Sequence, residues 1–193
     1  MSTIPAASAK EISINEILAT GLVILLGCFV TASAQSNRSV YTSLGEKQCR
    51  TVKSTEAGDD GFEARCPGTG GYKLILSEGD LRQNITVITP KGAEHSLELW
   101  SVVSSGFSSV GPKVEWRLAT RNGKAVPVAM IIRYNANEDP EVPNKLMSYL
   151  AVAKITATEI CVTEKISPGL KANEDARRAA DAATTKPCLK SRN

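Results

Sequence analysis

Five cysteines and a single histidine, His95, bound the side-chain chemistry open to this 193-residue chain. The segment Gly106-Phe-Ser108-Ser-Val-Gly111 approaches the nucleophile elbow G-x-S-x-G, but its second glycine comes one residue late. An elbow also needs a strand-to-helix turn, and Pro112 with the strand formers after it argues against a helix. His95 precedes Ser108, which departs from α/β-hydrolase order. A hydrolase using Ser108, His95 and a carboxylate is therefore the alternative reading, not the first. Gly106 and Gly111 have the opening spacing of a phosphate loop, yet Pro112-Lys113 stands where Lys-Ser/Thr is required. Cys66-Pro-Gly-Thr-Gly-Gly71 precedes a strand, so no helix N-terminus is available there to receive phosphate. Carboxylate pairs for glycoside chemistry exist at Glu78 and Asp80, or at Glu98 and Glu115, but the sequence does not set the separation such chemistry depends on. They read most simply as turn and strand-surface charges. Trp100, Trp116 and Tyr72 are candidates to line a ligand concavity, although tryptophan at strand positions more often joins the core. No catalytic, cofactor-binding or metal-binding residue is assigned from these patterns.

How the cysteines are read depends on where the chain goes. An apolar run from Ile17 to Val30 leads to Thr31-Ala-Ser-Ala34 and then polar Gln35-Ser-Asn-Arg38. This is an apolar core followed by an A-x-A-like site, which predicts an export signal over residues 1–34 with cleavage after Ala34. The run is shorter than the roughly 20 residues that span a bilayer comfortably. Its upstream region carries one Lys against two Glu, where a signal is normally positive, so an uncleaved anchor competes with cleavage. Leu25-Leu-Gly-Cys28 is similar to a lipobox and makes Cys28 a candidate for lipidation. Leu26 and Phe29 depart from the small residues usual there. The expected location is periplasmic or secreted, with membrane contact only through the N-terminal segment if it is retained or lipidated.

In an oxidising compartment Cys49, Cys66, Cys161 and Cys188 read as a disulfide framework. Four cysteines allow three connectivities. Cys49–Cys66 with Cys161–Cys188 is preferred, because each pair brackets one local unit. Loops of these lengths stabilise by about 3 kcal/mol each in the chain-entropy model. No C-x-x-C spacing occurs, and zinc takes four organised ligands, so metal is not expected. Residues 35–193 carry 22 basic and 18 acidic side chains once the one Lys and two Glu of the leader are set aside from 23 and 20. These charges are interspersed, with no clustered basic stripe, which excludes a nucleic-acid surface.

The elements that must position these residues read as short strands. Arg50–Lys53 and Phe62–Cys66 are expected to pair across Glu56–Gly61, with Cys49–Cys66 tying the outer ends. Tyr72–Leu76 and Gln83–Thr89 form a second hairpin across Ser77–Asp80. A further strand runs from Ser96 to Val103, before the flexible Ser104–Ser109. Asn122-Gly123 favours a two-residue type I′ turn between strands Lys113–Arg121 and Lys124–Asn135. Tight closure pairs Leu118 with Pro127, where the missing N–H costs the hairpin nothing but implies an edge or bulge on the other side. The same register groups Val114, Trp116 and Leu118 with Ala129 and Ile131. Pro140 and Pro143 mark a loop, and Lys145–Thr163 reads as one long or two short strands. A helix follows over about 172–184, with Asn173 as cap, Glu174 and Asp175 in its first turn, and Glu174–Arg178 and Arg177–Asp181 as i,i+4 pairs. Ala176, Ala179, Ala180 and Ala183 form a small-residue face able to lie close on a sheet.

Tyr41-Thr-Ser-Leu44 leading to Cys49-Arg50, Cys66-Pro-Gly68 with Gly71-Tyr72 and Ser77–Arg82, Gly111–Arg117, and the Cys161–helix–Cys188 ending together resemble a group of small exported bacterial proteins with no assigned activity. The resemblance implies export and a bacterial source, and it carries over no catalytic residue. The fold expected is α+β: a mainly antiparallel, barrel-like β domain over residues 35–193, stapled by disulfides, with one C-terminal helix. The function expected is non-catalytic binding of a protein or small molecule in the cell envelope. A hydrolase and an envelope accessory lipidated at Cys28 are the alternatives. Intact mass of the exported protein is predicted to begin at Gln35 and to rise on reduction by the hydrogens of two disulfides. A lipidated N-terminus at Cys28 would reverse the processing prediction.

Overall fold

The computed structural model describes residues 37–54, 61–139, 141–142 and 145–191. The expected signal segment with Cys28 and the expected cleavage site at Ala34, most of the Glu56–Gly61 turn, Pro140 and Pro143 lie outside the described residues. The strands are β1 (Arg38–Ser43), β2 (Arg50–Ser54), β3 (Phe62–Pro67), β4 (Lys73–Gly79), β5 (Arg82–Ile88), β6 (Glu94–Ser96), β7 (Ser108–Arg121), β8 (Lys124–Asn137), β9 (Leu146–Ile155) and β10 (Ile160–Ile166). A one-turn helix α1 (Leu99–Val102) precedes β7. Helix α2 (Ala172–Asp181) and a 3₁₀ turn (Ala183–Thr185) follow β10. Among the described residues no helix is long and apolar enough to cross a membrane.

The strands form one sheet in the order β10-β9-β8-β7-β5-β4-β3-β2, with β1 on β7 and β6 on β5. All pairs are antiparallel except the single bridge Arg82↔Ser108 between β5 and β7. The α+β, mainly antiparallel reading holds, but the barrel-like expectation does not: the sheet is open. Among the described residues no ladder joins β10 to β2, so these strands remain edges.

Asn122 and Gly123 both have positive φ (50° and 73°), and Arg121 pairs with Lys124, as the type I′ turn requires. Leu118 faces Pro127, and the β8–β9 ladder begins only at Ala129. A bulge at Val128 then pairs Arg117 with Ala129, and this corrects the expected faces. Trp116 lies opposite Met130 and Val114 opposite Ile132. These side chains enter the main core with Leu74, Ile85 and Val87 of β4 and β5. Ala129 and Ile131 point to the other face, because one extra residue reverses side-chain parity.

That outer face carries the second core. Ala129 and Ile131 of β8 and Leu150 and Val152 of β9 pack against Ala176, Ala180 and Ala183, with Ala179 at the margin. The alanine face does lie on the sheet. The expected cap does not form: Lys171 precedes the first turn with no side-chain cap, and Asn173 Oδ1 instead lies 3.5 Å from a guanidinium nitrogen of Arg133. Cys49 is bonded to Cys66 and Cys161 to Cys188. The second bond holds the segment after α2 against β10, where Leu189 N–H donates to Val162 O at 2.8 Å.

The expected strand Ser96–Val103 is replaced by β6, a reversal at Glu98 (φ 50°) and α1. Leu99, Val102 and Val103 are buried at helical spacing, which places Trp100 on the exposed side. Lengthening Ala180 to Leu is predicted to overpack the α2–sheet contact and to lower stability by about 1–3 kcal/mol. Each kcal/mol corresponds to about 2–4 °C in thermal midpoint for a chain of this size, readable by calorimetry.

Candidate functional site

The structure does not bring Ser108 and His95 together. His95 pairs with Val87 and Ser108 with Arg82, positions that stand apart along β5 by roughly 16 Å at the ordinary strand rise. Ser108 is buried, and its hydroxyl lies 2.5 Å from that of Tyr134. Burial pushes the Tyr134 phenol above its ordinary pKa, so it stays protonated and supplies no base. Gly106 is needed for close approach: a Cβ there would stand 1.9 Å from the carbonyl oxygen of Asn137. The Asn137 N–H donates to Phe107 O at 2.9 Å, pinning the loop between α1 and β7.

The carboxylate pairs separate into two different settings. Glu115 faces α2 on the outer side of β7. It accepts from Arg177 Nε at 2.8 Å and from the Ser39 hydroxyl at 2.5 Å. Beside it Arg117, with its side chain 7% exposed, makes a bidentate pair with Asp181 at 2.9 and 2.8 Å. Arg177 also donates to the Tyr41 hydroxyl at 3.1 Å. These bonds replace the expected Arg177–Asp181 pair, since both residues reach the sheet. Arg178 pairs with Asp175 rather than Glu174. Glu98 is exposed at the reversal before α1. The Glu98–Glu115 pair is thus divided between a loop and a structural ion network.

Glu78 and Asp80 line a groove of about 560 Å³ at the β4–β5 hairpin tip. The hairpin turn is Asp80-Leu81, not Ser77–Asp80, with Gly79 facing Arg82. Both turn residues have positive φ (50° and 57°), a conformation disfavoured for a side chain as bulky as leucine. Trp100 and Ser105 close the groove from the α1 side, and Arg82 and Asn84 from β5. Arg82 donates to Ser105 O at 2.8 Å, pairs with Asp80, and lies over the Phe107 ring at 5.2 Å. Asn84 accepts from Leu99 N–H at 3.0 Å and donates to the Ser96 hydroxyl at 2.8 Å, tying α1 to β5. Glu78 accepts from Gln83 at 2.7 Å. Trp100 is 46% exposed, whereas Trp116 is fully buried, with Tyr72 6.2 Å away. Of the three aromatics expected around a concavity, Trp100 alone lines this groove.

Among the described residues the one grouping with metal-type ligands is Glu159, Cys161 and Cys188. Its two sulfurs are bonded to each other, leaving a single carboxylate.

Burial alone would raise the Glu115 carboxyl pKa, but hydrogen bonds from Arg177 and Ser39 and the Arg177 charge outweigh it and hold the pKa low. A depressed folded-state pKa contributes stability that is present above the unfolded value, about 4.3, and lost as pH falls through the folded one. Glu115→Gln is predicted to lower stability by about 1–3 kcal/mol at neutral pH. The gap from the parent protein narrows below about pH 4, as followed by thermal denaturation across pH. No protein-family model, curated protein or solved structure matches the chain.

Proposed function

We propose that the protein is an exported, non-catalytic binding protein of the periplasm or extracellular medium, and that it holds its ligand in the groove between the β4–β5 tip and α1. The observation that carries this reading is the exposed Trp100 on the wall of a groove whose polar side chains are already oriented by intramolecular bonds. A tryptophan left half in water, rather than buried as Trp116 is, is the kind of anchor that dominates binding energy. Groups held in place before binding lose less entropy on contact. The two disulfides support an oxidising location. The separation of Ser108 from His95 weighs against the hydrolase.

The test is a ligand screen read by tryptophan fluorescence, in which a ligand entering the groove alters the emission of Trp100. Trp100→Ala is predicted to weaken binding by about 2 kcal/mol or more, on the order of 30-fold, with an unchanged circular dichroism spectrum. His95→Ala is predicted to leave binding unaltered. A hydrolytic activity abolished by His95→Ala and indifferent to Trp100→Ala would overturn the reading.

A further inference from the structure

We infer that the ligand of this groove is a neutral saccharide chain, one pyranose ring stacking on Trp100 while its hydroxyls meet Glu78, Asp80, Arg82 and Asn84. The inference rests on the binding reading of the same groove and names its ligand class. Three features select a sugar.

The first is the count of aromatic rings. Sites for quaternary or methylated ammonium groups surround the cation with several ring faces. Trp100 is the one ring lining this groove, and every other lining residue is a hydrogen-bonding side chain or Gly79. One aromatic ring among hydrogen-bonding side chains suits a ligand with one C–H face and a hydroxylated rim.

The second is the charge balance. Asp80 is paired with Arg82, and Glu78 adds one further negative charge. Phosphate, sulfate or a uronic acid would meet net negative charge here, and like charges brought together are disfavoured. The cation of Arg82 is engaged by Asp80, by Ser105 O and by the Phe107 face.

The third is remaining hydrogen-bond capacity. A carboxylate has about four acceptor sites and an amide has two N–H donors. Glu78 accepts from Gln83 through Oε2, and Asn84 donates to Ser96, so each keeps further capacity toward the groove. Asp80 is largely exposed, its side chain 81% accessible. Acceptors and donors thus lie side by side, which suits hydroxyl groups that both donate and accept.

The experiment titrates the protein with hexasaccharides of α-1,4-glucose, β-1,4-glucose and N-acetylglucosamine, and separately with choline, following tryptophan emission and heat. At least one hexasaccharide is expected to shift the emission, and Trp100→Ala is expected to weaken its binding at least tenfold at an unchanged thermal midpoint. Trp100→Phe is expected to restore part of the affinity. Saccharide binding that survives Trp100→Ala would overturn the inference. A response to choline alone would overturn the saccharide assignment while leaving the groove as the binding site. No response of Trp100 to any of these probes would overturn the saccharide assignment too. In that case, a ligand found by the broader screen to depend on Trp100 would preserve the binding reading, and the lack of one would end it.

Discussion

Burial of β8 and β9 on both faces is the constraint that orders the rest of the molecule. Met130, Ile132 and Tyr134 look inward toward Trp116 and the β4–β5 side chains, while Ala129, Ile131, Leu150 and Val152 look outward toward α2. A strand buried twice cannot slip by one residue, because each face would then receive the other's side chains. The bulge at Val128 sets that parity at the start of the long β8 run. The outer face presents Ile131, Leu150 and Val152 beside Ala129, side chains that already stand well out from the sheet. The helix that covers them presents Ala176 and Ala180, small side chains that let it lie close over the larger ones of the sheet.

Apolar contact between alanines is non-directional and would allow α2 to slide. The ion network beside it is directional. Arg117 is almost wholly removed from water, and an uncompensated charge in that position is strongly destabilising. Asp181 and Ser39 satisfy it, while Arg177 satisfies Glu115, so the helix has one seat on the sheet. The bond between Cys161 and Cys188 then holds the following segment to β10. Together these leave the α2 side of the sheet engaged in holding itself together. The groove at the β4–β5 tip differs in kind: its polar groups are oriented by bonds to neighbouring side chains and loop backbone, and its one aromatic ring is left half in water.

Much of the frame was legible in the residues. Asn122-Gly123 named a turn because two adjacent positive φ values favour those two residues. The proximity in sequence of Cys49 to Cys66, and of Cys161 to Cys188, favoured the observed pairing through the short loops each closes. Pro127 announced an interruption in pairing that β8 does have. The failures came where a distant segment outbid a local preference. Asn173 has the chemistry of a cap but turns toward Arg133. Arg177 and Asp181 stand at ion-pair spacing but find partners on β7. Ser96–Val103 has strand-like composition, yet Asn84 takes the Leu99 N–H and folds the segment into a turn of helix. That turn carries Trp100 out of the strand register to the groove, and the spacing of Leu99, Val102 and Val103 already holds the helical signal.

By itself the sequence determined the β-rich class, most of the elements and the tight turn, and it favoured the covalent staples observed, because each of these follows from backbone preference or short-range chain geometry. Tertiary structure alone decided which face of β8 meets which core, since a single bulge reverses parity and Pro127 signals an interruption without fixing the ladder on which the extra residue falls. It also decided that Glu115 is bound into the frame while Glu78 and Asp80 stand at a groove with Trp100. The four carboxyl-bearing candidates were equivalent as letters. They differ because a carboxylate's role depends on the groups that surround it, and those groups arrive from strands and helices far apart in the chain.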